Sequence, residues 1–228
     1  FIFFIATIFL IPIFIIGSSM FLGFSENFYH LYDNLLFEYS LNSISLVLGV
    51  SFIVTIIGVT TAWLVTFFNF SGKKVFQWAL ILPLAVPPYL LAYVFTEFFD
   101  YSGTANNFMR GLLSSESDIV FFPNIRTIYG AIAVFSFTLY PYVYMVVRVA
   151  FMNISPSLIE ASKLLGRNSI STFINLLIPL IRPAIIAGIA LVAMETLSDF
   201  GAVQHFAIPT FTTGIFRTWT GLYDLNTA

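Results

Sequence analysis

The hydrophobic and polar positions of this chain fall into long apolar runs broken by short charged links. Asp, Glu, Lys and Arg are absent from Phe1–Ser25, Tyr39–Gly72, Val75–Thr96 and Thr127–Val147. Each run supplies the ~20 apolar residues that cross ~30 Å of hydrocarbon. A fifth run, Pro183–Met194, is too short alone. Extended back to Leu176 and on to Phe200 it reaches spanning length, with Arg182 and Glu195 near its ends. The pattern predicts five transmembrane helices, at about 1–24, 43–68, 76–99, 127–151 and 177–199. A spanning segment must satisfy its backbone internally, and these runs are too long for barrel strands. The expected fold is an all-α, polytopic membrane helix bundle formed by one domain over 1–228.

The links set an orientation. Lys73 and Lys74 lie between the second and third helices, and Arg148, Lys163, Arg167 and Arg182 lie in or beside the link between the fourth and fifth. These two links hold six of the nine basic residues. Glu26, Asp33, Glu38, Asp100, Glu116, Asp118, Asp199 and Asp224 fall in the other links or at the end. By the positive-inside rule, 69–75 and 152–176 face the cytoplasm. Asp33, Ser115 and Thr213 are then external.

Composition agrees and narrows the function. Of 228 residues, 59% are hydrophobic and only 9% charged, against roughly 25% charged in a soluble domain. The mean hydropathy is +0.94. A water-soluble enzyme, a disordered chain and a nucleic-acid binder are excluded. The net charge of −2 points to no acidic or basic partner. With no cysteine, thiolate chemistry is out, and His30 and His205 are too few for a histidine-built metal site. The first apolar run has neither a basic n-region nor a small-residue cleavage site, so it does not read as a signal peptide.

Within the third helix, Leu82-Pro83-Leu84-Ala85-Val86-Pro87-Pro88-Tyr89 places three prolines in six positions. They remove backbone donors and bend or break the helix. This reads either as a packing kink or as a bend lining a pathway. Ser45/Gly49, Gly58/Ala62 and Ala184/Gly188 are small pairs at four-residue spacing, which permits close helix packing. Gly72-Lys73 fails as a phosphate loop, because Phe67 and Lys74 stand where Gly and Ser/Thr are required. There is no His-Glu-x-x-His and no Gly-x-Ser-x-Gly. The chain is therefore not expected to be an enzyme or to hydrolyse ATP. Glu195 and Asp199, four apart, share one helix face by spacing.

The most informative segment runs from Met152 to Pro179. Ser155 can cap a short helix with Pro156 at its first position; alternatively, Ser157 and Glu160 form a capping box. Leu158, Ala161 and Leu165 make one apolar stripe, and Gly166 suits a left-handed terminator. A short amphipathic helix held between two spans is a docking element or a helix lying on the lipid surface. With a single Lys, it is the weaker candidate for lipid attraction.

This segment resembles the EAA loop of permease subunits of ATP-binding cassette importers. Their pattern is Glu-Ala-Ala, three residues, Gly, nine residues, then apolar-x-apolar-Pro. Here it reads Glu160-Ala161-Ser162, Gly166, then Leu176-x-Ile178-Pro179. The departures are Ser162 for the second alanine, and Leu and Ile exchanged in the tail. Leu82–Ala85 with Pro87–Tyr93, Tyr140–Tyr144, Arg182–Ala184, Met194–Gly201 and Thr210–Ile215 also resemble the iron(III) importer permeases. In that family two fused halves of about six helices are common, and the chain reads as most of a first half.

The resemblance implies a mechanism. An external or periplasmic solute-binding protein delivers solute, and a cytoplasmic ATPase dimer, which binds the ATP, drives transport. A second permease half, fused or separate, completes the path in the inner membrane of a bacterial cell. Glu160, Ala161, Ser162, Gly166 and Pro179 would belong to the ATPase-coupling loop. No cofactor is implied for this chain. Ferric ion prefers oxygen ligands. Glu195, Asp199, Tyr89 and Tyr93, with Pro87 at the bend, are candidate residues of the translocation path, and Glu97, Asp100 and Tyr101 are further oxygen donors. The opposing reading is that these acids cap helices, pack or hold the receptor, and no metal ligand is firmly assigned. Thiamine, polyamines, sulfate and phosphonates remain alternative solutes. A membrane enzyme or a non-transporting subunit is a remoter alternative.

Overall fold

A computed structural model describes residues 2–19, 26–113, 121–122 and 124–228. Ser115, Glu116 and Asp118 lie outside the described residues. The chain is an all-α bundle: among the described residues every regular element is helical. In order these are α1 (Ile2–Ser19), α2 (Glu26–Asn34), α3 (Leu36–Phe67), α4 (Lys73–Ala79), a 3₁₀ turn at Leu82–Ala85, α5 (Pro88–Phe99) and α6 (Thr104–Leu113). After them come α7 (Ile128–Met152), α8 (Pro156–Leu164), α9 (Ser169–Thr172), a π turn at Phe173–Leu177, α10 (Ile178–Ser198), α11 (Gly201–His205) and α12 (Phe211–Gly221). They form two compact units, 44–208 and the combination of 1–43 with 209–228.

Two helices, α3 and α7, are long and apolar enough to cross a membrane unaided. Two more candidate spans are bent. The axis turns by 91° between Lys73–Ala85 and Pro88–Leu113, and by 70° between Ser169–Leu180 and Arg182–Ser198. The apolar stretch Ile5–Ser18 in α1 is shorter than a full span. The third sequence run is therefore not one helix over 76–99. Pro87 and Pro88 have no N–H, and the residue before a proline is driven out of the helical region. Val86 accordingly adopts φ −106°, ψ 117°. The helix restarts with Pro88 at its first position.

In the 44–208 unit, α7 is the central helix, with 13 of its 25 residues buried. Phe135, Leu139, Val143, Tyr144, Val147 and Phe151 form its inward stripe, met by Leu46, Val50 and Val54 of α3. A Cβ on Gly49 would meet Ile132, and one on Gly58 would meet Val143, so α3 and α7 run parallel. Parallel neighbours require a return crossing between them. The broken third span supplies it: Gln77 lies beside Tyr144 and Arg148, whereas Phe95 lies beside Phe137. It thus runs antiparallel to α7.

The other unit holds α1, α2, the first turns of α3, and α12. Thr210 and Thr213 make a reciprocal capping box that starts α12. Asn42 donates to the Pro209 carbonyl at 3.0 Å, Ser43 Oγ accepts from the Phe211 amide at 3.2 Å, and Gly214 admits the Tyr39 ring.

Gly58 offers a direct test of the packing. A Cβ there would sit 2.8 Å from Val143 Cβ and 3.0 Å from the Tyr144 amide nitrogen. Gly58→Val is expected to destabilise the bundle by about 1–3 kcal/mol, as overpacking does. Gly111→Ala, whose new Cβ meets nothing within 4 Å, serves as control. Thermal unfolding of the two variants in detergent decides; equal midpoints would mean that α3 and α7 are not in close contact.

Candidate functional site

Two groups of residues stand out in the 44–208 unit. The first is the link between α7 and α10. Helix α8 begins as its sequence dictates, with Ser155 in extended conformation as N-cap and Pro156 at the first position. The Ser155 hydroxyl engages the Ser157 hydroxyl at 2.7 Å rather than a backbone amide. Of the two caps open in the sequence, the start at Pro156 fits Ser155. Gly166 terminates the helix with φ +77°, and the Gly166 and Arg167 amides donate to the carbonyls of Lys163 and Ser162. Asn168 then caps α9 by accepting from the Ser171 amide at 2.7 Å.

The link projects its side chains outward. Glu160 and Ala161 are exposed, as are Leu158, Leu164 and Leu165. Leu164 is 89% exposed. Ser162 is the exception: it is buried, and its hydroxyl lies 2.8 Å from the buried Thr172 hydroxyl. Pro179 lies in the first turn of α10, half-buried. Glu160, Ala161, Ser162 and Gly166 are thus brought together on one element, while Pro179 stands apart at the helix it feeds.

The second group surrounds α11, which lies along α5. A Cβ on Gly201 would fall 2.9 Å from Tyr89 Cβ. Further along, the Tyr93 ring lies 3.9 Å from the His205 ring. His205 Nε2 is 3.0 Å from Thr96 Oγ1, which itself donates to the Ala92 carbonyl at 2.7 Å. Since the Thr96 proton is committed, Nε2–H of His205 is the donor of this pair. Burial holds the imidazole below its ordinary value, and the Arg126 charge lowers it further.

Glu195 lies in the last turn of α10 and Asp199 caps its end, the Asp199 amide donating to the Glu195 carbonyl at 3.1 Å. Helix α10 ends at Ser198, and Asp199 is extended at φ −68°, ψ 132°. Its Oδ1 accepts from the amides of Ala202 at 2.8 Å and Val203 at 3.3 Å, satisfying donors at the start of α11. Glu195 stays on α10, where its Oε1 accepts from the Tyr142 hydroxyl at 3.3 Å. The structure therefore places Tyr89 and Tyr93 against α11, Asp199 at its start, and Pro87 at the break below α5. Glu195, one turn before Asp199, also contacts Tyr142 of α7. Glu97 is exposed on α5, and Asp100 accepts from the Tyr101 amide. Among the described residues, no three carboxylates or imidazoles converge closely enough to hold a metal ion.

Sequence reading missed His205 and Thr96 as partners, and the Gln77 connection. Arg148 donates to Gln77 Oε1 at 2.9 Å, and the Tyr144 hydroxyl donates to the Gln77 carbonyl at 3.0 Å. A glutamine inside an otherwise apolar run, with one arginine near the end of another, was the available signal.

The profile of the family described as "Binding-protein-dependent transport system inner membrane component" matches residues 54–226. The chain is 27% identical over 172 residues to the Fe(3+)-transport system permease protein FbpB 2 of Haemophilus influenzae, covering 75% of this chain and 29% of that protein. It is 26% identical over 155 residues to the sulfate transport system permease protein CysT of Salmonella typhimurium, covering 67% and 52%. It is 27% identical over 177 residues to the spermidine/putrescine transport system permease protein PotB of Escherichia coli, covering 77% and 62%. The chain thus spans between 29% and 62% of the length of these relatives.

The double acceptance by Asp199 separates capping from charge. Asp199→Ala is expected to cost about 1 kcal/mol, the usual loss on removing such a cap. Asp199→Asn keeps an acceptor oxygen and should cost only a few tenths of that. Hydrogen exchange at the Ala202 and Val203 amides measures the difference. Equal protection in the two variants would show that the carboxylate does not hold α11.

Proposed function

The chain belongs to the family of binding-protein-dependent transport system inner membrane components, and from that membership we propose that it is the membrane-spanning permease part of an ATP-driven importer. An external solute-binding protein delivers the solute, ATPase subunits on the cytoplasmic side supply the energy, and a second permease half, fused or separate, completes the path. The chain itself binds no nucleotide and sits in the inner membrane of a bacterial cell. One observation carries this reading. The link between α7 and α10 is a short helix ending in a left-handed Gly166, with Glu160 and three leucines exposed to a partner. An exposed apolar face on a short connection, beside a carboxylate, suits docking into a groove of a soluble protein.

The proposed solute is iron(III). The motif runs around Glu195–Gly201 and Thr210–Ile215 favour it, and so do the oxygen groups of Glu195, Tyr142, Tyr89 and Tyr93. A carboxylate bonded to a phenol within a spanning helix is costly against lipid, so this face of α7 and α10 suits a polar lining. The second reading is another small solute. Relatives whose names give sulfate or spermidine and putrescine match at similar identity; sulfate differs from ferric ion in the sign of its charge, and the polyamines are extended carbon-chain cations.

Gly166 and Glu160 provide the test of coupling. A Cβ at Gly166 would meet nothing within 4 Å, so the penalty for substitution is conformational alone. A left-handed residue with a side chain costs roughly 1–2 kcal/mol, most for a β-branched one. In the full-length permease with its ATPase and binding protein, Gly166→Val should insert normally and abolish solute-stimulated ATP hydrolysis. Gly166→Asn should retain most of it, and Glu160→Gln should weaken ATPase association moderately. Uptake of labelled iron(III) is measured beside sulfate and spermidine. Wild-type coupling in all three variants would reduce the link to a connection, and uptake of sulfate or spermidine without iron would replace the solute.

A further inference from the structure

Helix α8 is held to the rest of the protein in an unusual way. Of its nine residues, all described, only Ser162 is buried. Ile159 is half-buried against the core, while Leu158, Leu164 and Leu165 face outward. A nine-residue helix is too short to be stable by propensity, and its stability must come from packing. Here very little apolar surface is packed. The contact that remains is polar: Ser162 Oγ and Thr172 Oγ1 lie 2.8 Å apart, at 6% and 5% exposure. The same serine accepts the Arg167 amide on its carbonyl at 3.2 Å. Its side chain and backbone thus both tie α8 to the turn that follows.

Thr172 is the last residue of α9, and it leads directly into the π turn at Phe173–Leu177. Phe173 stacks on Trp63 of α3, with ring centroids 4.4 Å apart and planes inclined by 29°. The π turn then becomes α10 at Ile178. Two residues, one hydrogen-bonded and one stacked, thus connect α8 to α3 and α10, beside the packing of Ile159. Alanine at 162, the residue of the resembling loops, could pack here but could not make the bond.

We infer that the Ser162–Thr172 hydroxyl pair is the clamp that fixes the exposed helix to the spans it moves, so that Ser162 and Thr172 are positioning residues for energy coupling. This rests on the importer reading proposed above. Without the clamp, α8 can still dock on a partner, but it turns on its connections and displacement is lost before reaching Phe173. Breaking one side leaves the other hydroxyl buried and unpaired, which is worse than removing both.

A double-mutant cycle tests it in the full-length permease with its ATPase subunits: Ser162→Ala, Thr172→Val, both together, and Thr172→Ser, which keeps the hydroxyl. Each single change should leave ATPase subunits bound. It should speed hydrogen exchange at the Gly166 and Arg167 amides about tenfold, and lower binding-protein-stimulated ATP hydrolysis by a similar factor. Thr172→Ser should behave as wild type, and the double variant should be no worse than either single one. Wild-type exchange in both single variants, or single effects that multiply in the double, would overturn the clamp. Unchanged stimulation despite faster exchange would overturn its coupling role. If wild-type permease retains no ATPase subunit, the importer reading and the coupling role fall together, while exchange on the permease alone still decides whether the clamp exists.

Discussion

The 44–208 unit depends on how closely two helix backbones can approach α7. Val143 is pressed from both sides: Gly58 of α3 would place a Cβ 2.8 Å from its Cβ, and Gly188 of α10 would place one 3.0 Å from its Cα. In lipid there is no gain from hiding apolar surface from water, so helix association relies on dispersion contacts that need this proximity. With α3 and α10 seated on α7, the remaining pieces have a fixed surface to meet. Gln77 of α4 finds Tyr144 and Arg148, and Phe95 of α5 finds Phe137.

Much of this was legible from residue order. The apolar runs marked α3 and α7 as spans and located the two bent pairs, because the lipid requirement is a matter of length and charge, both visible in one dimension. The small pairs at Gly58/Ala62 and Ala184/Gly188 pointed to close packing, and the glycines of both pairs meet Val143. Gly166 as a left-handed stop and Ser155-Pro156 as a start followed from local chemistry that needs no distant partner. The prolines at 83, 87 and 88 announced a bend, but not that the 76–99 run would part into α4, a 3₁₀ turn and α5. That outcome depends on the position of each missing N–H and on what packs alongside.

The candidate site was less legible, for a physical reason. Spacing brings Glu195 and Asp199 to one end of a helix, but it does not show that the helix stops at Ser198 with Asp199 as its cap. The carboxylate of Asp199 turns instead to the amides that open α11. His205 and Thr96 lie 109 positions apart, and Ser162 and Thr172 meet across the turn at Gly166–Asn168. Hydroxyl and imidazole partners of this kind have no periodicity to reveal them.

The break at Val86–Pro87 has a mechanical consequence. Below it, α4 is tied to α7 through both the side chain and the backbone carbonyl of Gln77. Above it, α5 is joined to α11 by Tyr89 against Gly201 and by Thr96 against His205. The two halves of one span therefore have different partners, although α5 also meets α7 through Phe95 against Phe137. The junction between them has prolines on its upper side and no ladder hydrogen bond from Pro87 or Pro88 to stiffen it. The angle between α4 and α5 is therefore set by these side-chain contacts and not by a continuous helix ladder.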